Sequence, residues 1–171
     1  MNVINIKGNE AEIEVDGKTH FVPFVHLGNK VQFVYEGEIY TVHPDGSHLS
    51  AITTGGPGFD QPAWSPDGSQ LAMVAATNGN TMIGAPLQID VANADGTDLH
   101  AVSPPGWSSY NPTWTPDGRI VFLVDDGGTD AYSINADGTD LRQLYGNLGG
   151  PERVWQITWG SRPLTPAKCG S

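Results

Sequence analysis

Apolar and polar residues alternate along this chain in runs of four to six residues, and turn residues bound each run. The first alternation covers residues 3–15, with the pair Gly8-Asn9 in its middle and Asp16-Gly17 after it. This pattern predicts a β-hairpin followed by another tight turn. No segment repeats its apolar residues over ten or more positions with the roughly 3.6-residue period of an amphipathic helix. The hydrophobic pattern therefore predicts an all-β chain.

Two motifs recur along the chain in the same order. PAWSPDGSQLAMV at 62–74 returns as PTWTPDGRIVFLV at 112–124, and ANADGTDLHAV at 92–102 returns as NADGTDLRQL at 135–144. Two motifs that alternate in this way indicate a duplicated unit. Each unit predicts four short strands, which are PAWS, LAMVA, LQIDVA and LHAVS in the first copy and PTWT, IVFLV, AYSIN and LRQLY in the second.

The distance between equivalent residues gives the length of the unit. Trp64 and Trp114 are 50 positions apart, Trp114 and Trp159 are 45 apart, and Asp95 and Asp137 are 42 apart. These periods fit the four-stranded blade of a β-propeller, which takes about 40–45 residues. The extra length of the first unit falls in the loop at 78–86.

The Trp-Ser-Pro-Asp-Gly strand, the apolar strand after it and the Asn-x-Asp-Gly-Thr turn resemble the TolB-like β-propeller repeat, a relative of the WD repeats. Two units match this repeat over about 61–145. VWQITWGSRP at 154–163 is similar to the first strand of a further unit, and 21–60 is similar to a degraded unit in which Val25 replaces the tryptophan. The resemblance implies a propeller of four-stranded antiparallel blades, with about three recognisable repeats and an N-terminal hairpin.

We expect one β-propeller domain at 1–163 and a flexible tail at 164–171. The expected parts of the domain are a hairpin at 1–20, a degenerate blade at 21–60, blades at 61–110 and 111–153, and a closing strand at 154–163. Three units are few for a fold that typically has about four to eight blades. Either the hairpin and the closing strand form a fourth blade, or two chains assemble into a larger ring, or the chain is part of a longer propeller.

Charge and composition narrow the classes of partner. The net charge is −11 and the eight Lys and Arg residues are scattered, which excludes a general binder of the nucleic-acid backbone. No run reaches the about 20 apolar residues that cross a bilayer, so membrane insertion is not predicted. The resemblance implies a protein partner and a periplasmic or extracellular location, although residues 1–15 lack the features of a secretory signal. The compartment stays open.

No catalytic motif is present in the sequence. It contains no Gly-x-Ser-x-Gly nucleophile elbow and no glycine-rich phosphate loop. The carboxylates are spread mostly one to a turn, and turn chemistry already explains them. We therefore expect a protein that is not an enzyme and needs no cofactor.

Aromatic residues outside the strand pattern are the candidates for partner binding. Trp107 and Tyr110 lie in the irregular stretch SPPGWSSYNP, Phe59 lies in the corresponding stretch of the previous unit, and Trp155 lies near that place in the next. Loops between blades line one face of a propeller, so these side chains could converge on a binding face. Packing over the loop is the competing interpretation. Tryptophans at a fixed place in each repeat, by contrast, are expected to pack between blades.

The Asn-x-Asp-Gly-Thr-Asp turns concentrate oxygen atoms, which are the ligands that calcium prefers. The candidate ligands are Asp95 and Asp98 in one turn and Asp137 and Asp140 in the other. The bidentate glutamate that completes a calcium loop of the EF-hand type is missing. The favoured interpretation is therefore structural, because Asp-Gly suits the positive φ angles of a hairpin turn.

These observations predict a non-catalytic β-propeller scaffold that binds a protein through its inter-blade loops. Three alternatives stay open: an accessory propeller of a prolyl-oligopeptidase-like hydrolase, a propeller that binds calcium or a carbohydrate, and an engineered propeller without natural function.

Overall fold

The computed structural model describes residues 1–7, 10–27, 30–77, 86–125 and 129–146. In these ranges the chain forms β-strands and no helix, which confirms the all-β prediction. None of the described residues belongs to a helix that could cross a membrane. The strands are β1 (Asn2–Lys7), β2 (Glu10–Val15), β3 (Lys18–Leu27), β4 (Lys30–Tyr35), β5 (Glu38–Val42), β6 (Ser50–Ala51), β7 (Phe59–Trp64), β8 (Gln70–Ala76), β9 (Leu87–Asn93), β10 (His100–Ala101), β11 (Ser109–Trp114), β12 (Arg119–Asp125), β13 (Thr129–Asn135) and β14 (Arg142–Tyr145).

The strands form three antiparallel sheets in which neighbours in sequence are neighbours in space. Strands β7–β10 make one four-stranded sheet, blade 2, and β11–β14 make another, blade 3. Strands β1–β6 make a single six-stranded sheet. Its last part, from residue 24 of β3 through β6, is the counterpart of the other two blades and is called blade 1. The predicted four-stranded antiparallel blades are thus confirmed.

Strand β3 changes its partner in the middle. Residues 18–23 pair with β2, and residues 24–27 pair with β4. The change falls at Pro23, which has no N–H to donate to a neighbouring strand. The sequence pattern predicts a short strand at 21–26 interrupted by Pro23, whereas the structure has one ten-residue strand that joins the N-terminal hairpin to blade 1.

The N-terminal strands cover one face of blade 1. Ala11, Ile13 and Val22 pack in one buried cluster with Val31 and Phe33 of β4. A hairpin seals the apolar face at one end of the repeat array, as a terminal cap does in other repeat proteins. The strand at 154–163, with which the hairpin is predicted to complete a fourth blade, lies outside the described residues. Closure of the ring stays a prediction.

Two further clusters join the blades to one another. Leu71 and Met73 of β8 face blade 1 and pack with Ile39, while the alternate residues Ala72 and Val74 face blade 3 and pack with Trp114 and Phe122. Alternation along β8 thus buries both faces of blade 2, because successive side chains of a strand point to opposite sides. Each blade is held by apolar packing against the next.

Polar contacts also join blades 2 and 3. The indole N–H of Trp114 donates to the carbonyl oxygen of Ala63 at 2.8 Å, and the backbone N–H of Asn111 donates to Gln61 Oε1 at 2.7 Å.

His100 also bridges blades 2 and 3, since its Nε2 lies 3.1 Å from the carbonyl oxygen of Ala136. Its Nδ1 lies 2.6 Å from the Asp98 carbonyl, and this bond is the main reason that the pKa of His100 is raised. An imidazolium can donate to both carbonyls at once.

The predicted Asp-Gly turns have the same hydrogen bonds in all three blades. The N–H of Gly46, Gly96 and Gly138 donates to the carbonyl three residues earlier, at 2.8–2.9 Å. All three glycines have positive φ angles. The aspartate before each glycine accepts bonds from the backbone N–H and the hydroxyl two residues later. The structural interpretation of these turns accounts for both the Asp and the Gly.

Protonating Asp67, in the turn between β7 and β8, is expected to weaken the fold. Its Oδ1 accepts from the Ser65 hydroxyl at 2.7 Å and from the Ser69 N–H and hydroxyl at 3.0 and 2.8 Å. These bonds lower the pKa of Asp67 from 3.8 to about 2. Because the pKa is lower in the folded state, the stabilisation is complete above the unfolded value and disappears as the pH falls through the folded one.

The measurement is urea unfolding of the natural chain and Asp67→Asn between pH 2 and pH 6. The difference in unfolding free energy between the two proteins should be largest above about pH 4 and should shrink toward about pH 2. Comparing the two proteins at each pH removes the effect of the other turn carboxylates, which titrate in both. A difference that stays constant with pH would contradict the assignment.

Candidate functional site

Of the three predicted binding residues that the structure describes, Trp107 lies in a loop. It lies between β10 and β11, half-buried, with its ring centroid 4.7 Å from that of Tyr132 on β13. Tyr132 in turn stacks on Phe122 with a centroid distance of 6.1 Å. The backbone N–H of Trp107 donates to the Pro104 carbonyl at 3.4 Å. The loop therefore packs the indole against Tyr132 and the cluster between blades 2 and 3, and leaves Trp107 only partly buried.

Tyr110 and Phe59 lie in strands rather than in loops. Tyr110 is the second residue of β11, half-buried against the cluster between blades 2 and 3. Phe59 begins β7 and is only 1% exposed, so it offers no surface to a partner. The strands extend upstream of the prolines because a bulge, with positive φ at Gln61 and Asn111, displaces each proline from the regular ladder. The fourth candidate, Trp155, lies outside the described residues.

Three of the four candidate calcium ligands, Asp95, Asp137 and Asp140, already accept hydrogen bonds through their carboxylates. Asp95 and Asp137 each bind the threonine two residues later, through its N–H and its hydroxyl. Asp140 accepts from Arg142, which is the main reason that its pKa is lowered, and also from Arg119. The Asp98 carboxylate lies 3.9 Å from His100 Nδ1, at ion-pair distance. The described residues contain no group of three or more His, Cys, Asp or Glu side chains placed to hold a metal ion. Calcium binding stays a prediction.

A groove lies between blades 1 and 2, and the sequence alone does not reveal it. It has a volume of about 280 Å³ and is lined by residues 23–25 of β3, 32–34 of β4 and 60–62 of β7. Most of these side chains are apolar, and Val25 is 53% exposed beside the groove. The first strands of blades 1 and 2, β3 and β7, pack less closely than the first strands of blades 2 and 3, β7 and β11.

Gln32 is a buried polar residue in the wall of this groove. Its side chain is 1% exposed, and neither its amide oxygen nor its amide nitrogen has a hydrogen-bond partner within the described part of the chain. The indole N–H of Trp64, which faces blade 1, is also buried without a partner there. Buried polar groups are normally paired, so these two unpaired groups require an explanation.

The register of the strands shows where blade 1 departs from the repeat. His26 pairs with Val31 in the way that Trp64 pairs with Leu71. The place of the tryptophan therefore belongs to His26, whereas comparison of the repeat motifs predicts Val25. Val25 corresponds instead to Ala63. The aligned sequence of 21–60 could not reveal this shift of one residue, because it depends on which residues pair.

No protein-family model and no curated protein matches this sequence. Solved structures do match the fold. A TolB-type protein from Agrobacterium tumefaciens is 17% identical, with a TM-score of 0.60 over 80% of this chain and 60% of that one. A chain of a nidogen–laminin complex is 16% identical, with a TM-score of 0.55 over 80% and 57%. A puromycin-hydrolyzing peptidase from Mycobacterium tuberculosis is 20% identical, with a TM-score of 0.60 over 91% and 29%.

These similarities establish the architecture. The chain has the fold of a TolB-like β-propeller, as the repeat motifs predict. It spans 60% of the TolB-type chain and 57% of the chain in the nidogen–laminin complex. At this level of identity the likeness concerns the fold alone, and one fold hosts many functions. What the chain does has to be argued from its own surfaces.

Proposed function

We propose that this chain is a non-catalytic β-propeller module that binds a protein partner through the loops between its blades. The position of Trp107 is the observation that carries this proposal. Its ring centroid lies 4.7 Å from that of Tyr132, and the residue packs against the cluster between blades 2 and 3 while remaining only partly buried. Partly exposed tryptophan and tyrosine side chains on a rigid scaffold supply much of the energy of protein interfaces. Tyr110 also packs against this cluster, but from a strand, so Trp107 is the aromatic residue that the proposal uses.

The proposal is tested with a partner isolated by affinity capture and then purified. Trp107→Ala is expected to weaken binding of that partner by about 10-fold or more, as truncation of an interface hot spot does. Leu99→Ala is the control, because Leu99 is also exposed but lies in the β9–β10 turn, at the other end of the blade. Melting temperatures establish that both variants are folded. Equal affinities of the Trp107→Ala variant and the natural chain would contradict the proposal.

A second candidate function follows from the fold match to the peptidase. That match covers 91% of this chain but 29% of the peptidase chain. The chain would then be the accessory propeller of a longer hydrolase, with its catalytic groups elsewhere. A downstream reading frame that encodes a hydrolase domain would favour this candidate over the free-standing binding module.

A further inference from the structure

We propose that the groove between blades 1 and 2 binds a tyrosine side chain carried by a basic segment of a protein. The inference rests on the proposed function in that it takes the ligand to be a protein. It concerns a different surface from that of Trp107, and it names the chemistry that this surface recognises.

The repeat itself shows what fills such a groove. At the junction of blades 2 and 3, Tyr110 packs in one cluster with Ala63, Ala72 and Val74. Tyr110 pairs with Leu123 one residue before the bulge at Asn111. An aromatic ring of the chain therefore occupies this junction.

The equivalent residues line the groove at the junction of blades 1 and 2. Strands β3, β4 and β5 pair in the same register as β7, β8 and β9. In this register Val25 corresponds to Ala63, Gln32 to Ala72 and Val34 to Val74. Asp60 holds the place of Tyr110.

Asp60 pairs with Val74 one residue before the bulge at Gln61, as Tyr110 does before Asn111. A short carboxylate thus stands where the next blade has a phenol ring, and a groove of about 280 Å³ lies beside it. A space of this size suits one aromatic side chain rather than a drug-sized ligand. The groove is the place of an aromatic ring that this junction does not supply.

The junction of blades 1 and 2 also lacks polar contacts that the junction of blades 2 and 3 has. Between blades 2 and 3, Trp114 donates to Ala63 and Asn111 donates to Gln61. Between blades 1 and 2, the indole N–H of Trp64 has no partner in the described residues. The N–H of Gln61 bonds to the adjacent Asp60 carboxylate at 2.7 Å instead of to blade 1. The first strands of blades 1 and 2 are therefore not joined across the groove by these bonds.

Gln32 selects tyrosine over phenylalanine. Its amide nitrogen and oxygen are unpaired within the described residues and lie buried just behind the groove wall, where blade 2 has the apolar Ala72. A ligand hydroxyl reaches them when the Gln32 side chain turns toward the groove. A phenol hydroxyl both donates and accepts, so it can satisfy either atom. A buried amide without partners is unfavourable, and pairing it on binding removes that penalty.

The charge of the groove favours basic residues next to the tyrosine of the ligand. Asp60 lies half-buried at the groove, and the whole chain has a net charge of −11. Among the described residues, Asp60 is the one charged residue in the groove lining. A lysine or arginine beside the tyrosine would therefore approach its carboxylate on a protein of negative net charge, which favours encounter and orientation.

The test uses the full chain and the peptide acetyl-Gly-Lys-Tyr-Lys-Gly-amide, with versions that carry Phe or Ala in the central place. In proton–nitrogen NMR titrations, the Tyr peptide should shift the side-chain amide of Gln32 and the backbone amide of Asp60, and leave the Trp107 indole unchanged. The Tyr peptide should bind about 3- to 10-fold more tightly than the Phe peptide, the effect of one hydrogen bond. The Ala peptide should not bind.

Three variants complete the test. Asp60→Tyr reproduces the Tyr110 arrangement and should abolish peptide binding, while Gln32→Ala reproduces Ala72 and should bind the Tyr and Phe peptides equally. Trp107→Ala should leave peptide binding unchanged, which separates this site from the loop surface. Equal binding of the Tyr and Ala peptides would overturn the proposal. A second result would also overturn it. If light scattering shows that the chain is a dimer and that Asp60→Tyr converts it to a monomer, a second copy of the chain occupies the groove.

Discussion

Gly96→Ala is expected to destabilise the chain by about 4 kcal/mol or more, a loss that a single substitution rarely causes. Gly96 lies in the β9–β10 turn with a φ of +84°, and an added Cβ would clash with the carbonyl oxygen of Ile52 in blade 1. That backbone cannot move away easily, because the Ile52 N–H is bonded to the Ile39 carbonyl at 2.8 Å. The methyl group would therefore push blades 1 and 2 apart.

Gly138→Ala is the matched control. Gly138 holds the same place in the turn of blade 3, with a φ of +78°, but its added Cβ would meet Val102 atoms only at 3.7 Å. This variant should lose about 1–2 kcal/mol through backbone strain alone. Unfolding in urea gives both values, and the difference between them isolates the contact between blades. Equal losses would mean that the close approach to Ile52 contributes nothing.

The two glycines show where prediction from the sequence ends. The NADGTD motif predicts both turns, since Asp-Gly suits positive φ and the aspartate bonds to the following threonine. Nothing in the motif distinguishes Gly96 from Gly138. Their difference depends on how closely the Ile52 backbone approaches, which is a property of the packing between blades.

The candidate site was predictable to a smaller extent than the fold. Repeat motifs identify the blades, but the aromatic residues around them fall into loops or strands according to bulges that the sequence does not reveal. Phe59 lies in a strand and is buried in the cluster between blades 1 and 2, and Tyr110 is half-buried in a strand. The groove depends on Asp60 standing where blade 3 has Tyr110, which becomes visible only when the strand registers of the two blades are compared.

Trp114→Ala is expected to lower the unfolding free energy by about 3–5 kcal/mol, the range for truncating a buried aromatic residue. Trp114 is 7% exposed and packs between blades 2 and 3 with Ala72 and Val74. It also donates its indole N–H to the Ala63 carbonyl at 2.8 Å. The variant removes the apolar contact and leaves that carbonyl without this bond, so urea unfolding should detect both losses together.

Replacing each repeat tryptophan by phenylalanine separates the two contributions. Trp114→Phe keeps a ring but loses the bond to Ala63, whereas Trp64→Phe removes an indole N–H that is buried without a partner in the described residues. Trp64→Phe should therefore be less destabilising than Trp114→Phe by about 1 kcal/mol. The two tryptophans occupy the same place in the repeat, so each variant controls for the other. A larger loss for Trp64→Phe would mean that its N–H is paired in solution, and that the junction of blades 1 and 2 is as closed as its neighbour.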